Sequence, residues 1–298
     1  MPDAAPDVIL REVGPRDGLQ SVPRFIPTRL KARIVEELEA AGIAEIQVAS
    51  FVSPRKLPQM ADAEALMALL PPPGRVRRVG LALSLSGARR AADAGLAELE
   101  AGVSASLAHG LKNVGRDTDE ALQDCEKIAR LARERGMRLW LNIQCAFGYA
   151  RPGDVARSSV VEIARKMMEW GPDFLVPADT TGLARPDDVR ALLSELAPIA
   201  AMERIALHLH DAYGLAFANL EAALEMGVRR FDTAFGGLGG CPFAPKAPGN
   251  LSTEATVRRL AARGLTTFID AGKVSAVTRL LQRDGGFARG GGGETFYE

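Results

Sequence analysis

Residues 204–235, RIALHLHDAYGLAFANLEAALEMGVRRFDTAF, decide the fold. Short apolar runs at 204–211 and 230–235 flank a longer stretch rich in Ala, Leu and Glu with helical spacing. A strand, a helix and a second strand in this order form one β/α unit of a parallel sheet that is covered by helices. The same alternation recurs along the rest of the chain.

Eight strands can be predicted from this alternation. They lie at 8–13, 44–50, 77–83, 98–106, 138–147, 173–179, 204–211 and 230–235. Eight β/α units in 298 residues predict an α/β fold, a (β/α)8 TIM barrel with a short C-terminal extension. A doubly wound open sheet is the alternative, but the first strand is followed by VGPRDGLQ and not by a glycine-rich phosphate loop.

The ends of the helices and of the domain can also be predicted. Thr28 is expected to cap the first helix at its N-terminus, and Gly42 is expected to end it. We expect one catalytic domain over 1–283 and a glycine-rich, flexible tail over 284–298, because so many glycines hold a regular element only at high entropic cost.

Composition narrows the function classes. The chain is 47% hydrophobic and 25% charged, as soluble globular proteins are. Lys and Arg number 37 and Asp and Glu also number 37, so no charge surplus favours nucleic acid or an acidic membrane, and a small-molecule substrate is expected. The start of the chain lacks a signal-peptide pattern and no long apolar run follows, so we expect a cytoplasmic protein with no membrane span. Three cysteines are too few for a disulfide framework.

Two of the three histidines, His208 and His210, are one residue apart on a predicted strand. Side chains of a strand alternate between faces, so both imidazoles point the same way, either to hold a metal or to fill the barrel with hydrogen-bonded rings. TIM-barrel chemistry takes place where strands end, and there the chain places one Asp and one carboxamide that suit a divalent cation. The polar residues at predicted strand ends are Arg16, Asp17, Gln47, Ser50, Ser104, Ser106, Gln144, Cys145, Asp179, Thr180, Asp211, Cys241 and Asn250.

Four segments carry a family resemblance. REVGPRDGLQ (11–20), SFVSPRKLPQM (50–60), HLHDAYGLAFANL (208–220) and GLGGCPFAPKAPGN (237–250) occur in order. They resemble the signature segments of the 3-hydroxy-3-methylglutaryl-CoA lyase family, which belongs to the metal-dependent lyase and Claisen-condensing superfamily of TIM barrels. Four ordered motifs are far more specific than any one of them.

The resemblance implies a metal and a reaction. The metal would be Mg²⁺ or Mn²⁺, held by Asp17, His208, His210 and Asn250. The reaction would be cleavage of a 3-hydroxy-3-methylglutaryl-CoA-like acyl-CoA to acetyl-CoA and a 3-keto acid, which is acetoacetate for the orthodox substrate. A dimeric enzyme that acts in leucine degradation is also implied. Two histidines and a carboxylate suit non-haem iron oxygenases as well, but the resemblance argues against that class.

The resemblance also implies roles for single side chains. Arg16 would stabilise the enolate oxygen, Cys241 would protonate the enolate carbon, and Asp179 would act near the metal beside the catalytic ligand His208. The remaining candidates, which would bind substrate or support the site, are Glu12, Gln20, Gln47, Ser50, Cys145, Thr180 and Glu254.

Plainer interpretations of the same residues stay open. Arg16 could form a surface salt bridge, and Cys241 could be a buried structural thiol. Asp17 could be a turn residue, and Asn250 could cap the helix that begins at Leu251.

The chain also departs from the family pattern, chiefly at Gln47, where the family has Glu. Glu45 shares its strand face but lies about 6.6 Å lower in the barrel, too far to replace that carboxylate. If this change alone altered substrate preference, Gln47→Glu should raise activity toward the orthodox substrate. Other departures are Pro23, Leu107, Phe243 and Pro248.

These departures lie at the predicted mouth, so a lyase with an altered acyl substrate is the leading hypothesis. A Claisen-condensing acyltransferase of the same superfamily and a non-catalytic metal-binding barrel are the alternatives.

Overall fold

Eight parallel strands close into a barrel in sequence order in the structure, a computed structural model that describes residues 5–239 and 249–285. The strands are β1 (Ile9–Glu12), β2 (Glu45–Ser50), β3 (Arg77–Leu81), β4 (Glu98–Ser104), β5 (Arg138–Gln144), β6 (Phe174–Asp179), β7 (Ala206–Leu209) and β8 (Arg230–Thr233). β1 pairs with β8 at Ile9 and Arg230, which closes the sheet. The predicted TIM barrel is confirmed, and the open sheet is excluded.

Ten helices cover the barrel in the described residues. They are α1 (Thr28–Ala40), α2 (Ala63–Leu69), α3 (Leu85–Asp93), α4 (Leu107–Asn113), α5 (Thr118–Glu134), α6 (Arg157–Glu169), α7 (Pro186–Leu196), α8 (Ala216–Glu225), α9 (Thr253–Ala262) and α10 (Ala271–Asp284). None of them combines the length and the apolar character that crossing a bilayer requires. Beyond Gly285 the predicted tail over 284–298 lies outside the described residues.

The two predicted ends of α1 fared differently. Gly42 has φ +93°, and a Cβ there would lie 2.5 Å from the Phe268 carbonyl oxygen, so only glycine fits and the predicted helix end is confirmed. The predicted cap at Thr28 is wrong. Pro27 is the N-cap and makes no side-chain cap bond, and its carbonyl accepts hydrogen bonds from the Leu30 and Lys31 N–H groups at 2.8 and 3.1 Å.

Inside the barrel, side chains form distinct levels. At the amino-terminal ends of the strands, Glu45 contacts Arg77 and Arg230. Above them lies a small apolar cluster of Val79, Trp140, Phe174, Val176 and Ala206. The Arg11 guanidinium lies 4.2 Å from the centroid of the Trp140 ring and belongs to the next level, a polar one at the carboxyl end. An apolar layer therefore separates the charge cluster at the amino-terminal end of the barrel from the one at the carboxyl end.

Most strands end earlier than predicted at the carboxyl end of the barrel. β5, predicted over 138–147, ends at Gln144, because Cys145 adopts φ +55° and leaves the ladder. β7, predicted over 204–211, ends at Leu209. The residues beyond these ends are thereby released from sheet pairing and form the mouth.

Candidate active site

Asp17, His208 and His210 meet at the carboxyl end of the barrel. Asp17 lies in a single π-helical turn, Gly14–Gly18, directly after β1, whereas His208 lies in β7 and His210 one residue beyond it. One potential ligand atom from each lies within 4.8 Å of the others. The Nε2 atoms of the two histidines are 2.9 Å apart, and His210 Nε2 is 3.7 Å from Asp17 Oδ2.

Asn250, which follows β8 in the chain, lies next to this triad. Its Nδ2 donates to Asp17 Oδ2 at 2.7 Å and to the Leu238 carbonyl at 2.9 Å, and its backbone bridges to His210. The alternative that Asn250 caps α9 fails, because Ser252 is the N-cap and accepts from the Ala255 N–H. The resemblance's four ligand candidates are thus adjacent in space.

Glycine is required beside this group of four. Gly239 has φ +129°, and a Cβ there would lie 2.1 Å from Asn250 Nδ2 and 2.8 Å from Asp17 Oδ2. Both contacts are shorter than atoms tolerate, so the backbone can approach the candidate ligands only without a side chain.

These residues fit a divalent cation. Two imidazole nitrogens facing each other at 2.9 Å and a carboxylate are the donors that such ions take, and buried Asn250 Oδ1 has no hydrogen-bond partner among the described residues. Burial lowers the pKa of His210, which favours the neutral, ligating imidazole. Burial acts to raise the pKa of Asp17, but the Arg16 guanidinium and both histidines outweigh it and hold this pKa below its usual range.

Asp232 in β8 orients His208, and sequence reasoning missed it. Its Oδ2 lies 3.0 Å from His208 Nδ1, and Arg11 Nε and Nη2 each donate to the same carboxylate at 2.7 Å. Burial works to raise the pKa of Asp232, but Arg11 and His208 lower it to about 2, so the carboxylate is ionised. An ionised partner on Nδ1 directs Nε2 of His208 toward the candidate metal position. The sequence did contain a sign of Asp232. Side chains of a strand alternate between its faces, so Asp232 and Arg230 of the predicted strand lie on the same face.

Arg16 is buried, which excludes a surface salt bridge. Its side chain is 8% exposed, Nη1 donates to Asp17 Oδ1 at 2.5 Å, and Nε donates to Gln47 Oε1. Gln20 Nε2 donates to Asp17 Oδ1 as well, at 2.9 Å. Arg16 and Gln20 therefore both fix the carboxylate of the candidate ligand.

Gln47 passes this network on to Glu100, a residue of β4 that sequence reasoning also missed. Gln47 Nε2 donates to Glu100 Oε2 at 2.8 Å, and Arg11 Nη1 donates to the same oxygen at 2.5 Å. Asn142 Nδ2 donates to Glu100 Oε1 at 3.1 Å. Side chains from β1, β2 and β5 thus converge on one carboxylate in β4.

The charges of this hydrogen-bonded cluster do not balance. Arg11 and Arg16 carry two positive charges, whereas Asp17, Glu100 and Asp232 can carry three negative ones. A buried surplus of negative charge is costly without a counter-ion, so a bound cation would stabilise the mouth.

The cluster forms one wall of a pocket of about 520 Å³. Thr180 and Ser50 line it together with the triad, and Lys56 and Lys112 contribute cations. Buried Ser50 Oγ and Asn142 Oδ1 lack hydrogen-bond partners within the described residues, so polar atoms remain for a ligand. The predicted site residues that line this pocket are Arg16, Asp17, Gln20, Ser50, Thr180, His208 and His210.

Glu12 and Glu254 brace the loops and do not line the pocket. Glu12 accepts from the Gly14 N–H at 2.7 Å, the Phe235 N–H at 3.0 Å and Thr253 Oγ1 at 2.7 Å, so it ties the Asp17 turn to the loop after β8 and to α9. Burial raises the pKa of Glu12 to about 8. Glu254 accepts from the Gly236 N–H.

Asp179 and Cys145 are placed differently from the triad. Both Asp179 oxygens accept backbone hydrogen bonds, from the Leu183 and Ala184 N–H groups at 2.9 and 3.1 Å, so this carboxylate closes the turn after β6. Burial raises its pKa to about 7. Cys145 is fully buried, and its N–H donates to Thr180 Oγ1 at 2.8 Å. Cys241, Phe243 and Pro248 lie outside the described residues.

The chain is similar in sequence to proteins of known function. A family model described as HMGL-like matches residues 7–281. The chain is 35% identical to hydroxymethylglutaryl-CoA lyase of Pseudomonas mevalonii, over 89% of this chain and 88% of that protein. It is 33% identical to mitochondrial hydroxymethylglutaryl-CoA lyase of Arabidopsis thaliana over 91% of its own length, but spans only 58% of that longer protein.

A solved structure extends the likeness to three dimensions. A lyase of Acinetobacter baumannii that acts on HMG-CoA, in complex with coenzyme A and 3-methylmalate, superposes with a TM-score of 0.90 at 33% identity. The superposition covers 95% of this chain and 93% of that one. The matched range 7–281 includes the triad, Asn250 and Arg16. The chain therefore belongs to the HMGL-like family, the family of the hydroxymethylglutaryl-CoA lyases.

Proposed function

We propose that this protein is a divalent-metal-dependent carbon-carbon lyase that cleaves a 3-hydroxy-3-methylglutaryl-CoA-like acyl-CoA. The products would be acetyl-CoA and a 3-keto acid, acetoacetate in the case of 3-hydroxy-3-methylglutaryl-CoA itself. The observation that carries the proposal is the convergence of Asp17, His208 and His210 in the lining of a pocket that also contains Arg16, with Asn250 hydrogen-bonded to Asp17 beside them.

Mg²⁺ or Mn²⁺, held by those four residues, would lower the pKa of the substrate hydroxyl and fix the hydroxyl and the distal carboxylate in the reacting geometry. Asp232 keeps His208 in the tautomer that presents Nε2, and Arg16 and Gln20 keep the Asp17 carboxylate in place. The protein thus supplies a preorganised ligand set.

Bond cleavage requires a group that accepts developing negative charge. Water in the pocket takes the proton of the substrate hydroxyl, the hydroxyl oxygen forms the ketone, the adjacent carbon-carbon bond breaks, and the electron pair moves onto the thioester as an enolate. Arg16 is anchored through Nε and Nη1, and we assign its Nη2 to the enolate oxygen. The enolate carbon then takes a proton, a role that the glycine-loop motif supports for Cys241.

The pocket is consistent with an acyl-CoA. The Pseudomonas mevalonii relative is named for hydroxymethylglutaryl-CoA, and the Acinetobacter baumannii structure contains coenzyme A. In this chain Lys56, Lys112 and Arg116 line the pocket and provide positive charge for an anionic substrate.

The test is to incubate the purified protein with 3-hydroxy-3-methylglutaryl-CoA and Mg²⁺ or Mn²⁺ and to measure acetyl-CoA and acetoacetate. We expect both products in equal amounts, and none after chelation. Cleavage that survives complete removal of the metal would contradict the proposal, as would condensation of acetyl-CoA with a keto acid without any cleavage. A panel of acyl-CoAs with other 3-substituents would identify the preferred substrate.

A further inference from the structure

We propose that Gln47 and Glu100 form an interdependent pair that positions Arg16, so that residue 47 has to be an amide because residue 100 is a carboxylate. Glu100, a residue of β4, would be the anion that holds Arg16 in place. The Gln47 amide would link the two, because it accepts from Arg16 and donates to Glu100. The effect on catalysis rests on the proposed function, whereas the effect on folding does not.

The orientation of the Gln47 amide follows from its neighbours. The Arg16 guanidinium can only donate hydrogen bonds, so the atom facing its Nε must be Oε1. Glu100 also accepts from Arg11 and Asn142, so the atom of Gln47 that faces it, at 2.8 Å, must be the donor Nε2. One side chain here must accept at one end and donate at the other, which an amide does and a carboxylate does not.

A glutamate at position 47 would therefore be repelled by the Glu100 carboxylate. Its second oxygen would take the place of Nε2, about as close to Glu100 Oε2 and with no proton between the two oxygens. The hydrogen-bonded cluster already has three carboxylates against two guanidinium groups, so a fourth carboxylate would increase the buried negative charge. The introduced carboxylate would either displace Arg16 or become protonated.

Glu100 is itself held too firmly to move aside. Its three donors come from β1, β2 and β5, and its side chain is 1% exposed. Arg11, one of these donors, also holds Asp232, the partner of His208. Arg16 and His208 are thus also connected through Gln47, Glu100, Arg11 and Asp232. Glu100 acts as a positioning residue, because three donors hold its two oxygens.

The experiment is a double-mutant cycle of the full-length protein with Gln47→Glu, Glu100→Gln and the combined variant, read out as kcat, KM and Tm. We expect Gln47→Glu to lower kcat about tenfold or more and to lower Tm in the native background. In the Glu100→Gln background the same change should cost less than about threefold, because the facing charge is gone. KM should change less than kcat, since Arg16 acts on charge that develops during the reaction.

A matched control is Gln144→Glu. Gln144 lines the same pocket on β5 but lies four residues beyond Trp140, the register partner of Glu100, which is about 13 Å along the strand. Its effect should be the same in the native background and in the Glu100→Gln background. Equal effects of Gln47→Glu on kcat and Tm in both backgrounds would overturn the proposed interdependence of residues 47 and 100.

The Tm cycle separates this inference from the proposed function. If wild-type protein cleaves no acyl-CoA, the proposed function fails, yet the Tm values still report whether the two positions are coupled. If Gln47→Glu does not fold, the combined variant should recover folded protein, and its failure to do so would refute the pair.

Discussion

Two clusters of arginine and carboxylate lie at opposite ends of this barrel and differ in charge balance. At the amino-terminal end, Arg77 and Arg230 contact Glu45, and Arg138 lies 3.2 Å from Asp173 and 3.6 Å from Glu98. Each arginine there has a carboxylate partner, and the three positive and three negative charges cancel.

The cluster at the mouth keeps a surplus of negative charge. Both clusters contain buried polar atoms without partners among the described residues, which at the amino-terminal end are Glu45 Oε2 and Arg230 Nε, so the charge balance is what distinguishes them. An unbalanced cluster is stabilised by binding a cation. The same residue types therefore serve folding at one end and, under the proposed function, chemistry at the other.

The largest effect is expected from Asp17→Ala or His210→Ala. Each removes a candidate ligand from the group within 4.8 Å, so Mn²⁺ affinity and kcat should both fall at least about a hundredfold. Calorimetric titration with Mn²⁺ and an acetyl-CoA assay measure the two quantities. Unchanged turnover in either variant would remove the metal from the mechanism.

Arg16→Lys comes next. The ammonium cannot bond Asp17 and Gln47 and still face the substrate with a third nitrogen, so kcat should fall about a hundredfold while KM changes little. Steady-state kinetics on the preferred acyl-CoA decide this, and a near-normal kcat would exclude the enolate role.

Asp232→Asn should weaken metal binding about tenfold to a hundredfold, because His208 loses the anion that fixes its tautomer. The same calorimetric titration measures this. An Mn²⁺ affinity equal to that of wild type would show that His208 is oriented by other contacts.

Glu45→Gln breaks the cluster at the other end and should act on stability alone. Removing the carboxylate leaves Arg77 and Arg230 without their shared partner, at a cost of about 3 kcal/mol in the free energy of unfolding. Denaturant unfolding measures this cost, and kcat of the remaining folded enzyme should stay within about twofold of wild type. A large loss of kcat without loss of stability would erase the distinction between the two ends.

The smallest effect concerns pH. Burial raises the pKa of Glu12 from 4.5 to about 8 on folding, so the folded state binds the proton more tightly and this stabilising contribution disappears as the pH rises from 4.5 through 8. The Tm of wild type should fall over that range, and Glu12→Gln, which cannot titrate, should show a shallower fall. Parallel Tm profiles would mean that Glu12 stays ionised.

The barrel could be predicted because it follows from local patterns, and the four candidate ligands were predicted from the family resemblance. Strand periodicity gave all eight strands, and motifs gave Asp17, His208, His210 and Asn250, whose proximity the structure shows. Asp179 also lay at a strand end, but its position did not reveal that backbone N–H groups of the next turn occupy both its oxygens.

Arg11, Glu100 and Asp232 escaped prediction for a physical reason. Each lies inside a strand. Only the closure of the sheet pairs β1 with β8, where Arg11 and Asp232 are register partners, and brings Glu100 of β4 within reach of Arg11 inside the barrel. The departure at Gln47 was visible in the sequence, but its partner was not. With Glu100 opposite, we now expect Gln47→Glu to impair the enzyme, contrary to the gain that the sequence alone suggested.

The lack of a side chain at Gly239 limits which positions can be changed when this enzyme is redesigned. Because even a methyl group there would collide with Asn250 and Asp17, we expect a substitution at 239 to displace two candidate ligands without replacing either of them. Directed-evolution libraries aimed at new acyl substrates should hold this codon constant and diversify the opposite wall.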